Sequence, residues 1–127
     1  DKVRVQAKAR RAEHFANGSL SVQLFRKSGR GKRRQYLETD FDALLVTSTR
    51  QRALVGFFVV PTHILHELCI VGFPEKKSGN LTVYPPESTT KTADAARKKQ
   101  WQQRLYFDIE SLEPNSPDHH RLSKLLI

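Results

Sequence analysis

Apolar and polar residues alternate along the first segment of the chain, VRVQAKARR at residues 3–11. Val5 and Ala7 alternate there with Gln6 and Lys8. A period of two predicts a β-strand with one apolar row and one polar row. We expect the apolar row to enter a core and the row with Gln6 and Lys8 to face solvent.

The same alternation predicts further strands downstream. Residues 19–27 follow an Asn17-Gly18 turn signal and are predicted to form a β-hairpin with the first strand. Segments 42–48 and 54–60 are more apolar, and the short polar turn between them predicts antiparallel neighbours. Two shorter strands are expected at 69–71 and 81–84.

Helical spacing is found in two places. PTHILHEL, residues 61–68, begins with proline and predicts a short helix. Trp101, Leu105 and Ile109 recur every fourth residue and predict one long helix over 93–110. The last residues, 120–127, form either a short docking helix or a partner-binding tail.

The order of these predicted strands and helices indicates one α/β (α+β) domain over residues 1–127, with a mixed central sheet, flanking helices and a C-terminal tail at 111–127.

The composition adds a strong positive charge to this picture. The chain has 127 residues and a formal net charge of +9. Such a charge favours a polyanionic partner, nucleic acid before an anionic membrane surface. No apolar run reaches a membrane-spanning length, and the sequence predicts no basic amphipathic helix with a broad apolar face, so no membrane partner is expected. Cys69 lies in an apolar run and is predicted to be a buried thiol in an intracellular protein, cytoplasmic or nuclear.

Two groups of cations are candidates for nucleic-acid binding, with DNA favoured. Residues 28–35, SGRGKRRQ, predict a mobile basic loop whose side chains contact phosphates. The predicted long helix carries a second patch, and its glutamines at 100, 102 and 103 are candidates for contacts with base edges. The predicted binding residues are Arg26, Arg30, Lys32, Arg33 and Arg34 in the first group, and Lys91, Lys98 and Lys99 in the second.

Gln6 and Lys8 also admit a catalytic interpretation. A metal-binding side chain two residues before a lysine, on one face of a strand, is the pattern with which a nuclease activates water beside a divalent ion. Neutral glutamine is a poorer ligand than carboxylate for Mg²⁺ or Mn²⁺, the metals expected if the chain is a nuclease. The alternative is two solvated residues on an edge strand. No metal-ligand set is predicted from His or Cys spacing.

One pair of aspartates and one pair of histidines each allow a metal-binding and a structural interpretation. Asp40 and Asp42 are spaced to share one face and bind a metal, but an aspartate before an apolar strand also ends a loop. The structural role is favoured. His63 and His66 are spaced as a helical metal pair, yet no third ligand stands nearby in the sequence.

Several segments resemble the MepB family between about residues 3 and 110. The most specific is Val83-Tyr84-Pro85-Pro86 followed by a helix rich in Lys, Gln and Trp. Other matching pieces are Ala7-Lys8, Asp40-Phe41-Asp42, Gly56-Phe57-Phe58-Val59-Val60-Pro61 with Ile64-Leu65, Ile70-Val71 and Tyr106-Phe107. The resemblance implies a restriction-endonuclease-like fold, related to PD-(D/E)xK proteins, and nucleic-acid binding.

Three functions follow, in order of preference. The first is a nucleic-acid-binding protein of nuclease-like fold with weak or lost cleavage. The second is an active metal-dependent endonuclease whose first acidic ligand lies upstream of residue 1, since the chain is expected to lack an N-terminal helix or strand. The third is a protein-interaction module, and a homo-oligomer is compatible with each.

Overall fold

A computed structural model describes residues 2–29 and 31–126 of the chain. Within these residues, strands and helices alternate irregularly, as in an α+β protein. The elements in chain order are β1 (Val5–Arg11), β2 (Leu20–Leu24), β3 (Arg26–Ser28), β4 (Lys32–Arg34), β5 (Ala43–Arg50), β6 (Ala53–Pro61), α1 (Thr62–Glu67), β7 (Gly79–Val83), α2 (Ala93–Gln102), β8 (Tyr106–Asp108) and α3 (Pro117–Leu125).

The central sheet has four strands in the order β1-β5-β6-β8. Strand β1 is parallel to β5, whereas β5 pairs with β6, and β6 with β8, in the antiparallel direction. The mixed sheet with flanking helices confirms the predicted fold class. The antiparallel pairing of β5 with β6 is likewise confirmed.

The predicted hairpin between β1 and β2 is wrong. Strand β2 pairs instead with β7 in a separate antiparallel ribbon, with Val22 beside Leu81. The apolar rows of both strands are buried. This ribbon covers one face of the central sheet, so pairing β2 with β1 in one layer would leave that face without its cover.

The main hydrophobic core lies between the ribbon and the central sheet. Each of the ribbon strands and each of β5 and β6 contributes alternate side chains to it. Its fully buried members include Leu20, Val22, Leu24, Leu44, Val46, Phe58, Val60, Leu65 and Val83.

The orientation predicted for the two faces of strand β1 is wrong, because its polar row is more buried than its apolar row. Gln6 and Lys8 are half-buried, whereas the side chain of Val5 is 47% exposed. The parallel register aligns Gln6 with Leu44 and Lys8 with Val46, so the polar row turns toward the main core. Because β1 is an edge strand, long polar side chains bury their stems there and keep their polar ends in water.

The predicted long helix ends at Gln102 rather than at residue 110. Tyr106 and Phe107 pair with Phe58 and Phe57, so this segment forms the fourth strand of the sheet. Gln102 joins α2 to the ribbon, because its amide oxygen accepts from the Tyr84 N–H at 2.8 Å and its amide nitrogen donates to the Thr82 carbonyl at 2.9 Å.

Gln102 and Gln103 are therefore structural, contrary to the predicted contacts with base edges. The Gln103 side chain donates to the Tyr84 carbonyl at 3.0 Å and to the Lys99 carbonyl at 2.8 Å. Gln100 remains exposed to solvent.

The C-terminal segment is a docking helix. Helix α3 places Leu122 and Leu125 against the second face of the central sheet, where Val59 and Phe107 are buried. Arg121 fixes this position, because its guanidinium lies 4.0 Å from the centroid of the Phe107 ring and donates to the Tyr106 carbonyl at 2.8 Å.

Two local predictions around α1 need correction. Pro61 is the last residue of β6 and the N-cap of α1, so the helix begins one residue later. Residues 69–71 form no strand: Cys69 has a φ of 60°, which is incompatible with an extended chain, and its thiol is exposed rather than buried.

None of the helices within residues 2–29 and 31–126 is both long enough and apolar enough to cross a membrane.

Replacing Gln102 by alanine is expected to lower the free energy of unfolding by about 1–3 kcal/mol. The side chain is 1% exposed, and its removal leaves the Tyr84 N–H and the Thr82 carbonyl without their partner. Urea denaturation measures the change. Gln100→Ala, on the exposed surface of the same helix, should stay within about 0.5 kcal/mol of the wild type. Equal effects of the two substitutions would contradict the assigned role.

Tyr106 should make the protein lose stability at high pH. Burial, together with the carboxylates of Glu87 and Asp108, raises the pKa of Tyr106 from its ordinary 10.0 to about 12. The folded state thus favours the neutral phenol, so this stabilisation is complete below pH 10 and is lost as the pH rises through 12. Denaturation across this range should show a steeper fall for the wild type than for Tyr106→Phe. Parallel pH profiles would exclude Tyr106 as the cause.

Candidate nucleic-acid interface

The predicted basic loop is a β-hairpin. Strands β3 and β4 pair in the antiparallel direction, with Lys27 beside Arg33. Both of these side chains, and that of Lys32, are exposed. The Arg33 guanidinium lies 4.3 Å from the centroid of the Phe25 ring, which holds this cation against the root of the hairpin. Arg30 lies outside the described residues.

The other face of the hairpin is turned toward the body of the protein. Arg26 and Arg34 are cross-strand partners on this face. The Arg26 guanidinium lies 3.4 Å from the Asp40 carboxylate, which also accepts from the Leu37 N–H at 2.8 Å. The Nε of Arg34 is buried and has no hydrogen-bond partner among the described residues. Arg26 therefore helps to hold the hairpin against the body of the protein, and the half-buried Arg34 is less accessible to a ligand than Lys27, Lys32 and Arg33.

A second aspartate fixes the start of β1 to the same loop. The Arg4 N–H donates to the Asp42 carboxylate at 2.8 Å, and the Arg4 guanidinium lies 3.5 Å from its other oxygen. The hydrogen bond from the Arg4 amide, followed by the contact with the Arg4 guanidinium, lowers the pKa of Asp42. The structural interpretation of Asp40 and Asp42 is thus confirmed, because both carboxylates end the loop before β5 and each is paired with an arginine.

The far end of β1 is tied to β2. The Arg10 Nε donates to the Ser21 carbonyl at 2.9 Å. Since β2 continues through Phe25 into β3, the chain from Ser21 to Arg26 is anchored near both ends of β1. The chain that leads into the hairpin therefore runs alongside β1. We call the exposed side of the hairpin, together with the polar row of β1, the basic face; its cations are Arg4, Lys8, Arg10, Lys27, Lys32 and Arg33.

Gln6 and Lys8 lie on the basic face, but apolar side chains occupy the neighbouring strand. Their register partners on β5 are Leu44 and Val46, which provide no metal ligand. Across residues 2–29 and 31–126, no three His, Cys, Asp or Glu side chains are grouped closely enough to hold a metal ion. Among the described residues, β5 therefore adds no metal ligand at the two positions directly beside Gln6 and Lys8.

The two histidines of α1 that are spaced as a metal-binding pair, His63 and His66, make different contacts. The Nε2 of His66 lies 3.5 Å from the Glu38 carboxylate, and its ring stacks on Phe73 with centroids 5.3 Å apart. His63 is exposed and borders a hollow that Glu38 and Asp42 also line, but it forms no hydrogen bond with either among the described residues. Neither histidine is joined to the other by a common partner in the described part of the chain.

The cations of α2 are arranged differently from those of the hairpin. The Lys98 ammonium lies 3.1 Å from the Asp94 carboxylate, and the Lys99 ammonium donates to the Ser88 carbonyl at 2.5 Å. The end of α2 that carries them leads into β8, at the sheet edge opposite β1. Lys98 and Lys99 are therefore not brought together with the hairpin.

Lys91 lies elsewhere, just before the start of α2. It is exposed and borders a hollow that Phe15 and Thr92 also line. The turn that carries Phe15 follows β1, so Lys91 approaches the end of β1 that carries Arg10. The sequence pattern of residues 13–18 indicates no more than a short link. The sequence signal that could have marked this turn as functional is Phe15, a large aromatic side chain within a polar segment.

Comparison with known proteins accords with this architecture. A family model described as MepB-like matches residues 4–108. A solved structure, described as the crystal structure of MepB, superposes with a TM-score of 0.66 and 20% sequence identity over 84% of this chain and 72% of that chain. At this identity the superposition shows a shared fold. No curated protein matches the chain. Because the family model covers most of its length, the chain belongs to the MepB-like family.

Proposed function

We propose that this protein binds nucleic acid, and DNA in preference, through the basic face. The observation that carries the proposal is the state of the hairpin cations. Lys27, Lys32 and Arg33 are exposed and form no ion pair with any other described residue. Cations in this state contact phosphates and release counterions from the nucleic acid.

The neighbouring acids support the same conclusion. Asp40 and Asp42 are the carboxylates that join the hairpin to β1, and Arg26 and Arg4 pair with them. Their negative charge is therefore largely compensated at the surface. Lys8 and Arg10 extend the positive charge along β1, which gives a phosphate backbone more than one point of contact.

The geometry favours binding by charge over cleavage. A restriction-endonuclease-like function requires a divalent ion beside Gln6 and Lys8, and the apolar partners of these residues on β5 do not supply its ligands. We assign Lys8 to phosphate contact. Phosphate contacts of this kind position a nucleic acid without reading its sequence, so weak sequence preference is expected.

Removing the three hairpin cations should weaken DNA binding and its dependence on salt. The variant Lys27→Ala/Lys32→Ala/Arg33→Ala is expected to lower the slope of log affinity against log salt by roughly three, about one for each phosphate that the protein no longer neutralises. Fluorescence anisotropy with a labelled DNA duplex, at several salt concentrations, measures this slope.

A matched variant controls for net charge. Arg97→Ala/Lys98→Ala/Arg104→Ala removes the same number of cations from α2 and the segment before β8. Its slope should change by less than about one. If the slope falls equally in both variants, binding depends on net charge alone, and the assignment of DNA binding to the basic face is wrong. If the wild type binds no DNA at low salt, the proposal fails and a protein partner becomes the better explanation.

Lys8→Ala tests the role assigned to the β1 row. It should lower the salt slope by about one, because the variant neutralises one phosphate fewer than the wild type. The same assay with Mg²⁺ or Mn²⁺, followed by electrophoresis of the DNA, should recover intact duplex from the wild type. Metal-dependent fragments that disappear in Lys8→Ala would contradict the binding role and restore the nuclease interpretation.

A further inference from the structure

A large aromatic side chain stands exposed on the turn between β1 and β2. Phe15 is 43% exposed, although a phenylalanine in a turn of this kind usually folds onto the core. The ring of His14 packs against it edge to face, with centroids 4.7 Å apart. Phe15 is therefore exposed as one member of a pair of packed aromatic rings.

The turn is held firmly on both sides of Phe15. The Ala12 N–H donates to the Thr49 carbonyl at 2.7 Å, and the Ala12 side chain is buried. The Thr89 N–H donates to the Asn17 carbonyl at 2.9 Å. Within the turn, the Gly18 N–H donates to the Phe15 carbonyl at 3.0 Å. These bonds fix the backbone, so Phe15 is presented on a preorganised support.

Phe15 forms a ridge between two hollows. One hollow, of about 350 Å³, is bordered by Arg10, Arg11 and Ser21. The other, of about 480 Å³, is bordered by Lys91 and by the threonines that precede α2. A cation thus lies on each side of the aromatic ring, and hydroxyl groups line both hollows.

We propose that Phe15 is a stacking platform for an unpaired base of single-stranded nucleic acid, with the flanking phosphates held by Arg11 and Lys91. An aromatic side chain between cations is the arrangement that binds single strands, because every base has a face that can stack. The proposal rests on the proposed function and specifies its ligand: the basic face supplies the electrostatic attraction, and Phe15 selects strands whose bases are free.

The arrangement fits a single strand better than a duplex. Bases in a duplex are stacked on their neighbours, so an isolated ring on a turn has no exposed base face to contact. The two hollows beside the ring combine Arg11, Lys91 and hydroxyl groups with a few apolar side chains, Leu20 and Tyr84 among them. A protein partner would more typically require an extended apolar surface at this point.

Fluorescence anisotropy of the full chain with labelled oligothymidylate and with a duplex of equal length tests the proposal. Phe15→Ala is expected to weaken binding of the single strand by about 5- to 100-fold, the range for removal of one stacked base. Duplex affinity should change less than about twofold. Phe15→Trp should retain single-strand binding, whereas Phe15→Leu, apolar but without a π face, should lose it.

Ile109→Ala is the matched control, because Ile109 is also a large exposed apolar residue, at 39% exposure, and lies beside β8. It should leave both affinities unchanged. The stacking role is overturned if Phe15→Ala has no effect, if it weakens single strand and duplex equally, or if Phe15→Leu binds like the wild type. Wild-type binding to the duplex alone would refute only this inference, and wild-type binding to neither would refute the proposed function as well.

Discussion

The parallel pairing of β1 with β5 is the constraint on which the rest of the structure depends. It sets Val5 beside Ala43 and so decides which face of the sheet each β1 side chain joins. The row with Lys8 and Arg10 turns toward the layer that contains β2. Arg10 then reaches the Ser21 carbonyl, and this bond holds β2 alongside β1. The basic hairpin follows directly from β2, so its position on the surface is a consequence of the same register.

Charge is organised on this surface by a small number of ion pairs. Each pair is worth little to stability on its own, because it is exposed to solvent. Their effect is positional: Asp40 and Asp42 hold Arg26 and Arg4, and with them the hairpin and the start of β1. The cations that are not engaged in this way point outward. On α2, Arg97 and Lys98 are both paired with the Asp94 carboxylate, so that surface offers less free charge.

The sequence predicts the local elements more successfully than their pairing. Alternation identifies β5, β6 and β7, and helical spacing identifies α1, whereas the C-terminal segment stays open between a docking helix and a tail. It cannot decide that β2 pairs with β7 or that Tyr106 and Phe107 form a strand, because both depend on partners far along the chain. The Gln-x-Lys pattern draws attention to β1 but says nothing of its neighbours. Only the register to Leu44 and Val46 shows that these partners offer no ligand to a metal.

Amide hydrogen exchange of the full chain, with and without bound DNA, tests the central claim most directly. We expect added protection in β1, in β3 and β4, and in the turn around Phe15, with little change in α3. Protection confined to α3 and the C-terminal half of α2 would contradict the claim, because the bound DNA would then contact residues outside the basic face.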